Sequence, residues 1–311
     1  MNVPSWVLHS VGKLRGDVEY DYVSPSLPKV RCDAFFPAMV RGDRQAVTWP
    51  HFRKTISHRW YVDRRNPLVG FLNRDEACLL YANACLFRGK RGIEIGAWRG
   101  WSTCHLGLAG LQLDVVEPLL QDEAWRNEMT ACLSRAGVMS RITLHAGTSP
   151  AKVFEISSDS RWSFAFIDGD HEGNAPRTDA LACLPNMAQT AMILFHDMLA
   201  PAVSEALAEL RANRWQTQLY QTSQIMGVGW RGNVHPVNHR PDPFQQWDLP
   251  PHLQSFPIAG ETIEDRANRF GKILNEASAS LQPGAADGSR RIPALLQQLG
   301  WPLTGGGAER A

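Results

Sequence analysis

The sequence predicts an α/β fold built on a mostly parallel sheet. Short apolar runs alternate with helical patterns from about residue 73 to residue 212. Strand, helix and next strand in this order form βα units, whose successive strands run parallel. The chain has 311 residues and is 44% hydrophobic, which is enough for one full core with extensions or for two modest domains.

The first apolar run, residues 91–103, ends in a glycine turn. Ile93 and Ile95 suit a buried strand, while Gly96 and Gly100 allow the backbone to approach a ligand closely. Helical residues follow at once. An ordinary loop between a strand and a helix would show the same pattern, so the interpretation of this turn depends on its neighbours.

Four further strands are predicted, and most of them end in polar residues. These strands are 113–118, 141–149, 162–171 and 191–197. The helices predicted around them are 73–86, 101–111, 122–137, 150–156, 175–187 and 204–212. Two extended segments, 215–222 and 225–231, form a closing hairpin, and a last helix is predicted over 261–278.

Polar groups follow successive strands of the predicted sheet. Gly96 follows the first strand. The polar side chains at the later strand ends are Glu117, Ser149, then Asp168, Asp170 and His171 after the fourth strand, and His196 and Asp197 after the fifth. Ligands of open parallel sheets bind at the carboxyl ends of the strands. The sequence therefore predicts a ligand site at this edge.

The glycine turn departs from the dinucleotide-binding pattern Gly-x-Gly-x-x-Gly. Glu94 occupies the position of the first glycine, and the residues between Gly96 and Gly100 are bulky. A carboxylate near a helix N-terminus indicates a zwitterionic or cationic ligand instead. Glu117 after the next strand can accept two hydrogen bonds from a ribose diol.

At this point the chain resembles the class I S-adenosylmethionine-dependent methyltransferases, particularly small-molecule O-methyltransferases of the catechol and antibiotic-sugar types. The motifs that carry the resemblance are residues 94–102, Glu117, 147–149, 166–171 and 195–197. The resemblance implies a Rossmann-like fold, with a mostly parallel seven-stranded sheet, helices on both faces and extensions at both ends. It covers residues 72–232, about half of the chain.

The predicted organisation follows from these limits. Residues 72–233 form the cofactor-binding core, residues 1–71 a cap that covers the substrate, and residues 234–311 a C-terminal extension. The tail from about residue 280 is rich in Gly, Ala and Pro, a composition that favours disorder.

The resemblance also implies a role for each matching residue. The methionine part of S-adenosylmethionine would be bound by Glu94, Gly96, Trp98, Gly100 and Ser102. Glu117 would hold the ribose hydroxyls and Ser149 would lie beside the adenine. Asp168, His196 and Asp197 match the metal ligands, and His171 matches the general base. Asp168 is also assigned to the cofactor pocket and, with His171, to catalysis.

These residue types suit methyl transfer to a hydroxyl of a sugar, an antibiotic or a phenolic compound. A divalent cation lowers the pKa of a hydroxyl, and a nearby imidazole takes its proton. Mg²⁺ prefers oxygen ligands, so a histidine in the set favours Mn²⁺, Fe²⁺ or Zn²⁺. Two alternatives stay open: a glycosyltransferase that uses Asp168-Gly-Asp170 for a metal and a sugar nucleotide, and a non-catalytic binding module.

Composition bounds the partners and the compartment. The 32 Lys and Arg against 31 Asp and Glu give a net charge of +1, so no global field predicts nucleic acid or a membrane surface as partner. Six scattered cysteines without Cys-x-x-Cys pairs, and a start without the pattern of a secretory signal, predict a reduced, cytoplasmic protein. A homo-oligomer is compatible with the sequence.

Overall fold

The computed structural model describes residues 21–157 and 161–279. The predicted disorder of the tail from about residue 280, and the first twenty residues of the predicted cap, lie outside these ranges. The strands are, in chain order, β1 (Met39–Arg41), β2 (Tyr61–Asp63), β3 (Asn66–Phe71), β4 (Arg91–Ile95), β5 (Gln112–Glu117), β6 (Ile142–Ala146), β7 (Trp162–Ile167), β8 (Met187–Phe195), β9 (Gln216–Tyr220) and β10 (Met226–Arg231).

Seven α-helices occur within the described ranges. They are α1 (Arg74–Cys85), α2 (Trp101–Ala109), α3 (Glu123–Arg135), α4 (Ala151–Ile156), α5 (Ala175–Cys183), α6 (Pro201–Ala212) and α7 (Ile263–Ala279). None of them is long and apolar enough to cross a membrane.

The central sheet has seven strands in the order β6-β5-β4-β7-β8-β10-β9. Only β10 runs against its neighbours, pairing antiparallel with both β8 and β9. The predicted fold class is therefore confirmed. The chain moves outward from β4 through β5 to β6 and then returns to β7, which pairs with the other side of β4. The strand order reverses there, and ligands bind at such points in open α/β sheets.

Both faces of the sheet are covered, because side chains of successive strand residues point to opposite faces. Phe164 and Phe166 of β7 belong to a core that includes α1, α2 and α3. Ala165 and Ile167 belong to a second core that includes α5 and α6. All four side chains are buried.

The boundaries differ from prediction at two helices of the second face. Helix α5 ends at Cys183 rather than at 187, because Pro185 lies in a separate 3₁₀ turn, Leu184–Asn186. Strand β8 then begins at Met187, four residues before the predicted start. Helix α6 begins at Pro201, a residue that suits the first turn.

The N-terminal segment carries the small antiparallel sheet β1-β2-β3, for which sequence analysis predicts no strand. Buried Asp63 attaches this sheet to the core. Its carboxylate lies 2.6 Å from Arg65 Nη2 and 2.9 Å from Arg99 Nε, and both arginines also pair with Glu128 of α3. Because Arg99 belongs to the glycine turn, these ion pairs fix the small sheet against the predicted cofactor site.

Candidate active site

The glycine turn between β4 and α2 lies against the backbone that follows β7. Gly96 has φ +81°, and a Cβ atom placed there would lie 2.2 Å from the carbonyl oxygen of Asp168. Gly100 has φ +85° and comes directly before α2. Both conformations are unfavourable for other residues. The turn thus needs glycine at both positions, and at Gly96 it also needs the absence of a side chain.

Glu94 is fully buried below this turn. Its Oε2 accepts a hydrogen bond of 2.6 Å from the Thr103 hydroxyl, and its Oε1 has no hydrogen-bond partner. Burial raises the pKa of this carboxyl to about 8, and the negative charges of Asp168 and Glu117 add to the effect, while the Ser102 and Thr103 hydroxyls oppose it. Glu94 therefore connects the strand to α2.

This raised pKa makes stability depend on pH. The unfolded chain releases the Glu94 proton near the ordinary value of 4.5, whereas the folded chain holds it up to about pH 8. Between these limits the unfolded state binds fewer protons, so folding loses up to about 1.4 kcal/mol per pH unit. We expect the unfolding free energy of Glu94→Gln, relative to wild type, to increase from pH 5 to pH 8 and then level off.

Urea unfolding at several pH values measures this difference. Glu155→Gln is the control for removing an exposed carboxylate, since the Glu155 side chain is 66% exposed. A difference between Glu94→Gln and wild type that stays constant over this pH range would contradict the expectation.

Glu117 ends β5 and holds the glycine turn. Its Oε2 accepts hydrogen bonds from the backbone N–H groups of Ala97 (2.9 Å) and Trp98 (3.0 Å), and its Oε1 accepts one from Leu119 (3.0 Å). An ionised carboxylate has about four acceptor positions, so one stays available to a ligand. Glu117 thus shapes the turn as well as facing the cavity.

A cavity of about 440 Å³ lies at the carboxyl edge of the sheet. This volume falls in the range of small-molecule sites. Six of the predicted cofactor residues line it: Gly96, Trp98, Ser102, Glu117, Ser149 and Asp168. Phe71, the last residue of β3, and Leu72, which follows it, form part of its wall. Glu94 and Gly100 do not line this cavity, because Glu94 faces Thr103 and a Cβ at Gly100 would face Met129.

Trp98 has a left-handed backbone conformation, with φ +47°. This conformation is strained for a bulky residue, so the surroundings must hold it. The Trp125 indole donates a hydrogen bond of 2.9 Å to the Trp98 carbonyl, and the two rings pack at 4.8 Å. The Arg99 guanidinium lies 3.3 Å from the Trp125 ring centroid. Helix α3 therefore holds the glycine turn from outside, a contact that no local sequence signal reveals.

The acids and histidines predicted at the ends of β7 and β8 meet in one cluster. His171 Nε2 lies 3.3 Å from Asp168 Oδ1 and 3.3 Å from Asp197 Oδ2. His196 Nδ1 lies 3.3 Å from Asp168 Oδ1 and 3.1 Å from Asp197 Oδ2. All four residues line the cavity. The structure thus brings together the whole set predicted for the metal and the base.

The charges of this cluster change one another's protonation. Burial lowers the pKa of His171, but Asp197 and Asp168 outweigh it and raise that pKa to about 9. Burial also lowers the pKa of His196, but the charges of Asp197, Asp168 and Glu76 outweigh it, so this pKa lies well above the usual value. Burial alone would raise the pKa of Asp197, yet the two imidazoles hold it far below its ordinary range.

Two residues that sequence analysis missed support the cluster from behind. Glu76 of α1 is buried, and its Oε2 lies 3.3 Å from His196 Nε2. Gln224 donates a hydrogen bond of 3.0 Å to Asp197 Oδ1, and its backbone N–H donates one of 2.8 Å to Glu76. The pattern Asn73-x-x-Glu76 could have indicated the capping box that begins α1. No sequence signal points to Gln224.

Asp170 takes no part in this cluster. It is exposed, and its Oδ1 accepts a hydrogen bond of 2.9 Å from the Glu172 N–H, which closes a local turn. The Asp-x-Asp interpretation needs both carboxylates at one ion. Asp168 therefore lies with His196 and Asp197, which follow β8, rather than with Asp170.

The donor set fits a divalent cation. One ligand atom each from Asp168, His171 and Asp197 lies within 4.8 Å of the others. Mixed carboxylate and imidazole ligands suit Mn²⁺, Fe²⁺ or Zn²⁺ better than Mg²⁺. The predicted set has His196 in place of His171, and His196 Nδ1 contacts the same two carboxylate oxygens.

The sheet order and the site at its switch point define a class I methyltransferase fold. Residues 93–198 match a family described as a methyltransferase domain. The segment that holds the glycine turn and the acid–histidine cluster is therefore a methyltransferase domain, and the prediction of a methyltransferase is confirmed. No curated protein matches the chain.

Solved structures of similar fold cover about half of this chain. An O-methyltransferase of Bacillus cereus, in complex with S-adenosylhomocysteine, is 14% identical with a TM-score of 0.46, over 52% of this chain and 83% of that one. The O-methyltransferase TomG of Streptomyces achromogenes, involved in tomaymycin synthesis and bound to S-adenosylmethionine, is 16% identical with a TM-score of 0.43, over 52% and 82%. The S-adenosylhomocysteine-bound methyltransferase PaMTH1 of Podospora anserina is 13% identical with a TM-score of 0.45, over 52% and 80%. At these values the likeness carries no argument about function.

Proposed function

We propose that this protein transfers the methyl group of S-adenosylmethionine to a hydroxyl of a small molecule. One observation carries the proposal: a single cavity is lined by the glycine turn, by Glu117 and by the acid–histidine cluster. A cofactor held at the turn and a hydroxyl held at the cluster would thus meet in one space. Holding both reactants together supplies a large part of the rate enhancement of such reactions.

We assign the parts of S-adenosylmethionine to the residues that the sequence predicts for them. Gly96, Trp98 and Ser102 would hold the methionine part, and Ser149 would lie beside the adenine. Glu117 has one acceptor position left for the ribose after its three backbone hydrogen bonds. Glu94 and Gly100 would act through the shape of the turn rather than by contact.

His196, Asp168 and Asp197 would hold a divalent cation. His196 Nε2 faces the Glu76 carboxylate at 3.3 Å, which leaves Nδ1 for the ion, an arrangement common among metal-ligating histidines. A cation bound there would lower the pKa of the acceptor hydroxyl and offset the carboxylate charges that hold His171 protonated.

His171 would then accept the hydroxyl proton at Nε2. Its side chain is 26% exposed, against 8% for His196, so it can exchange a proton with solvent more easily. The Trp49 ring of the cap lies 5.8 Å from the His171 ring. Residues 1–71 would therefore cover the acceptor, as predicted, and with residues 234–311 would decide between a sugar, an antibiotic and a phenolic compound.

Isothermal titration calorimetry with S-adenosylhomocysteine tests the cofactor assignment. We expect binding by the wild type and weaker binding by Glu117→Gln, which loses acceptor capacity at the ribose and the turn. Mn²⁺ titrated alone should bind to wild type and fail to bind to Asp168→Asn. Lack of S-adenosylhomocysteine binding together with binding of a uridine or guanosine sugar nucleotide would favour a glycosyltransferase.

A further inference from the structure

Asp179 is a buried carboxylate that neither the sequence motifs nor the proposed mechanism uses. It lies on α5 and is only 4% exposed, yet it forms part of the cavity wall. Ser149 and Gly169 line the same cavity. The Asp179 Oδ2 atom lies 3.5 Å from the position that a Cβ at Gly169 would occupy.

The surroundings of Asp179 leave its charge uncompensated. Within residues 21–157 and 161–279, no cation pairs with this carboxylate, and the Ser149 hydroxyl is its polar neighbour. Burial raises the pKa of Asp179 to about 6, against the opposing effect of Ser149, and the charge of Asp170 adds to the rise. Burying a carboxylate without a cationic partner is costly, so one that faces a cavity is suited to receive a donor from a ligand.

We propose that Asp179 accepts a hydrogen bond from the exocyclic amine of the adenine and thereby selects adenine over other purines. The inference rests on the proposed function, which puts the adenine beside Ser149. An ionised carboxylate only accepts hydrogen bonds. It therefore pairs with the amine at C6 of adenine and repels the carbonyl oxygen at C6 of hypoxanthine.

The other carboxylates that line the cavity have other partners or are exposed. Asp170 also lines it, but it is exposed and accepts a hydrogen bond from the Glu172 N–H. Glu117 accepts from three backbone N–H groups around the turn, and Asp168 and Asp197 face the two imidazoles. The Ser149 hydroxyl can donate or accept, so it would tolerate either purine. Asp179 is thus the acceptor beside Ser149 that discriminates.

The test compares the dissociation constants of S-adenosylhomocysteine and S-inosylhomocysteine by calorimetry. Wild type should prefer the adenosyl compound by about tenfold or more, the usual effect of one hydrogen bond to a charged group. Asp179→Asn should reduce the preference to less than about threefold, because an amide can donate to the hypoxanthine carbonyl. Glu172→Gln removes an exposed carboxylate from the segment that precedes α5 and should keep the wild-type ratio.

Each outcome separates the two proposals. If wild type binds S-adenosylhomocysteine but does not prefer it over S-inosylhomocysteine, the role of Asp179 is overturned, and this result needs no variant. An Asp179→Asn protein that folds and keeps the wild-type ratio overturns it as well. Failure of wild type to bind S-adenosylhomocysteine would instead overturn the proposed function.

Discussion

Replacing His171 by glutamine is expected to lower kcat by about 10²–10⁴-fold and to leave the affinity for S-adenosylhomocysteine unchanged. Glutamine keeps a polar side chain of similar length but cannot take up a proton. The imidazole lies at the wall of the cavity with Nε2 3.3 Å from both Asp168 and Asp197, so it faces the space in which the acceptor would lie. Steady-state kinetics with a hydroxyl acceptor, found by screening phenols and sugars, measures the effect.

His196→Gln is the matched control, because both histidines contact the same two carboxylates. We expect His196→Gln to weaken Mn²⁺ binding by about 10-fold or more, and His171→Gln to retain it. The opposite result, loss of Mn²⁺ affinity in His171→Gln alone, would make His171 a ligand and remove it as the base.

The positions of Gly96, Asp168 and Asp197 could be predicted because their signals are local. Each follows an apolar run directly, and the carboxyl ends of parallel strands lie at one edge of the sheet. The order of strands needed the resemblance, since periodicity alone does not say that β7 returns to pair with β4. The local signals and the strand order together place the residues that follow β7 next to those that follow β8.

Residues that act from a distance along the chain could not be predicted. Glu76 and Gln224 reach the cluster from α1 and from the segment before β10, and only the packed fold brings them to His196 and Asp197. Asp179 lies within an amphipathic helix, where an acid normally faces water. The cap strands β1 and β2 have three residues each, too few for a periodic signal.

The prediction that Glu94 contacts the cofactor stays a prediction, because the Glu94 side chain does not line the cavity. Glu94 is the penultimate residue of β4, and its side chain turns toward Thr103 of α2. The position is therefore fixed by the junction of strand and helix. A motif residue can thus serve the site through the turn that it holds.

Gly96→Ala tests whether the close approach of the turn to β7 is essential. The added Cβ would lie 2.2 Å from the Asp168 carbonyl oxygen, and φ of +81° disfavours alanine. The left-handed conformation costs about 1–2 kcal/mol, and forcing apart two backbone segments costs about 1–3 kcal/mol more. Relieving the clash moves Asp168 away from the histidines, so S-adenosylhomocysteine affinity and kcat should both fall by about tenfold or more, which calorimetry and kinetics measure.

Gly137→Ala separates the clash from the backbone strain. Gly137 has φ +72°, close to that of Gly96, but a Cβ there would meet no atom within 4 Å. We expect this variant to lose about 1–2 kcal/mol of unfolding free energy and to bind S-adenosylhomocysteine like the wild type. If both alanine variants bind it equally well, then the turn tolerates displacement from Asp168, and the cofactor does not depend on the contact between β4 and β7. If only Gly96→Ala loses binding, the missing side chain at Gly96, rather than its flexibility, is what the site requires.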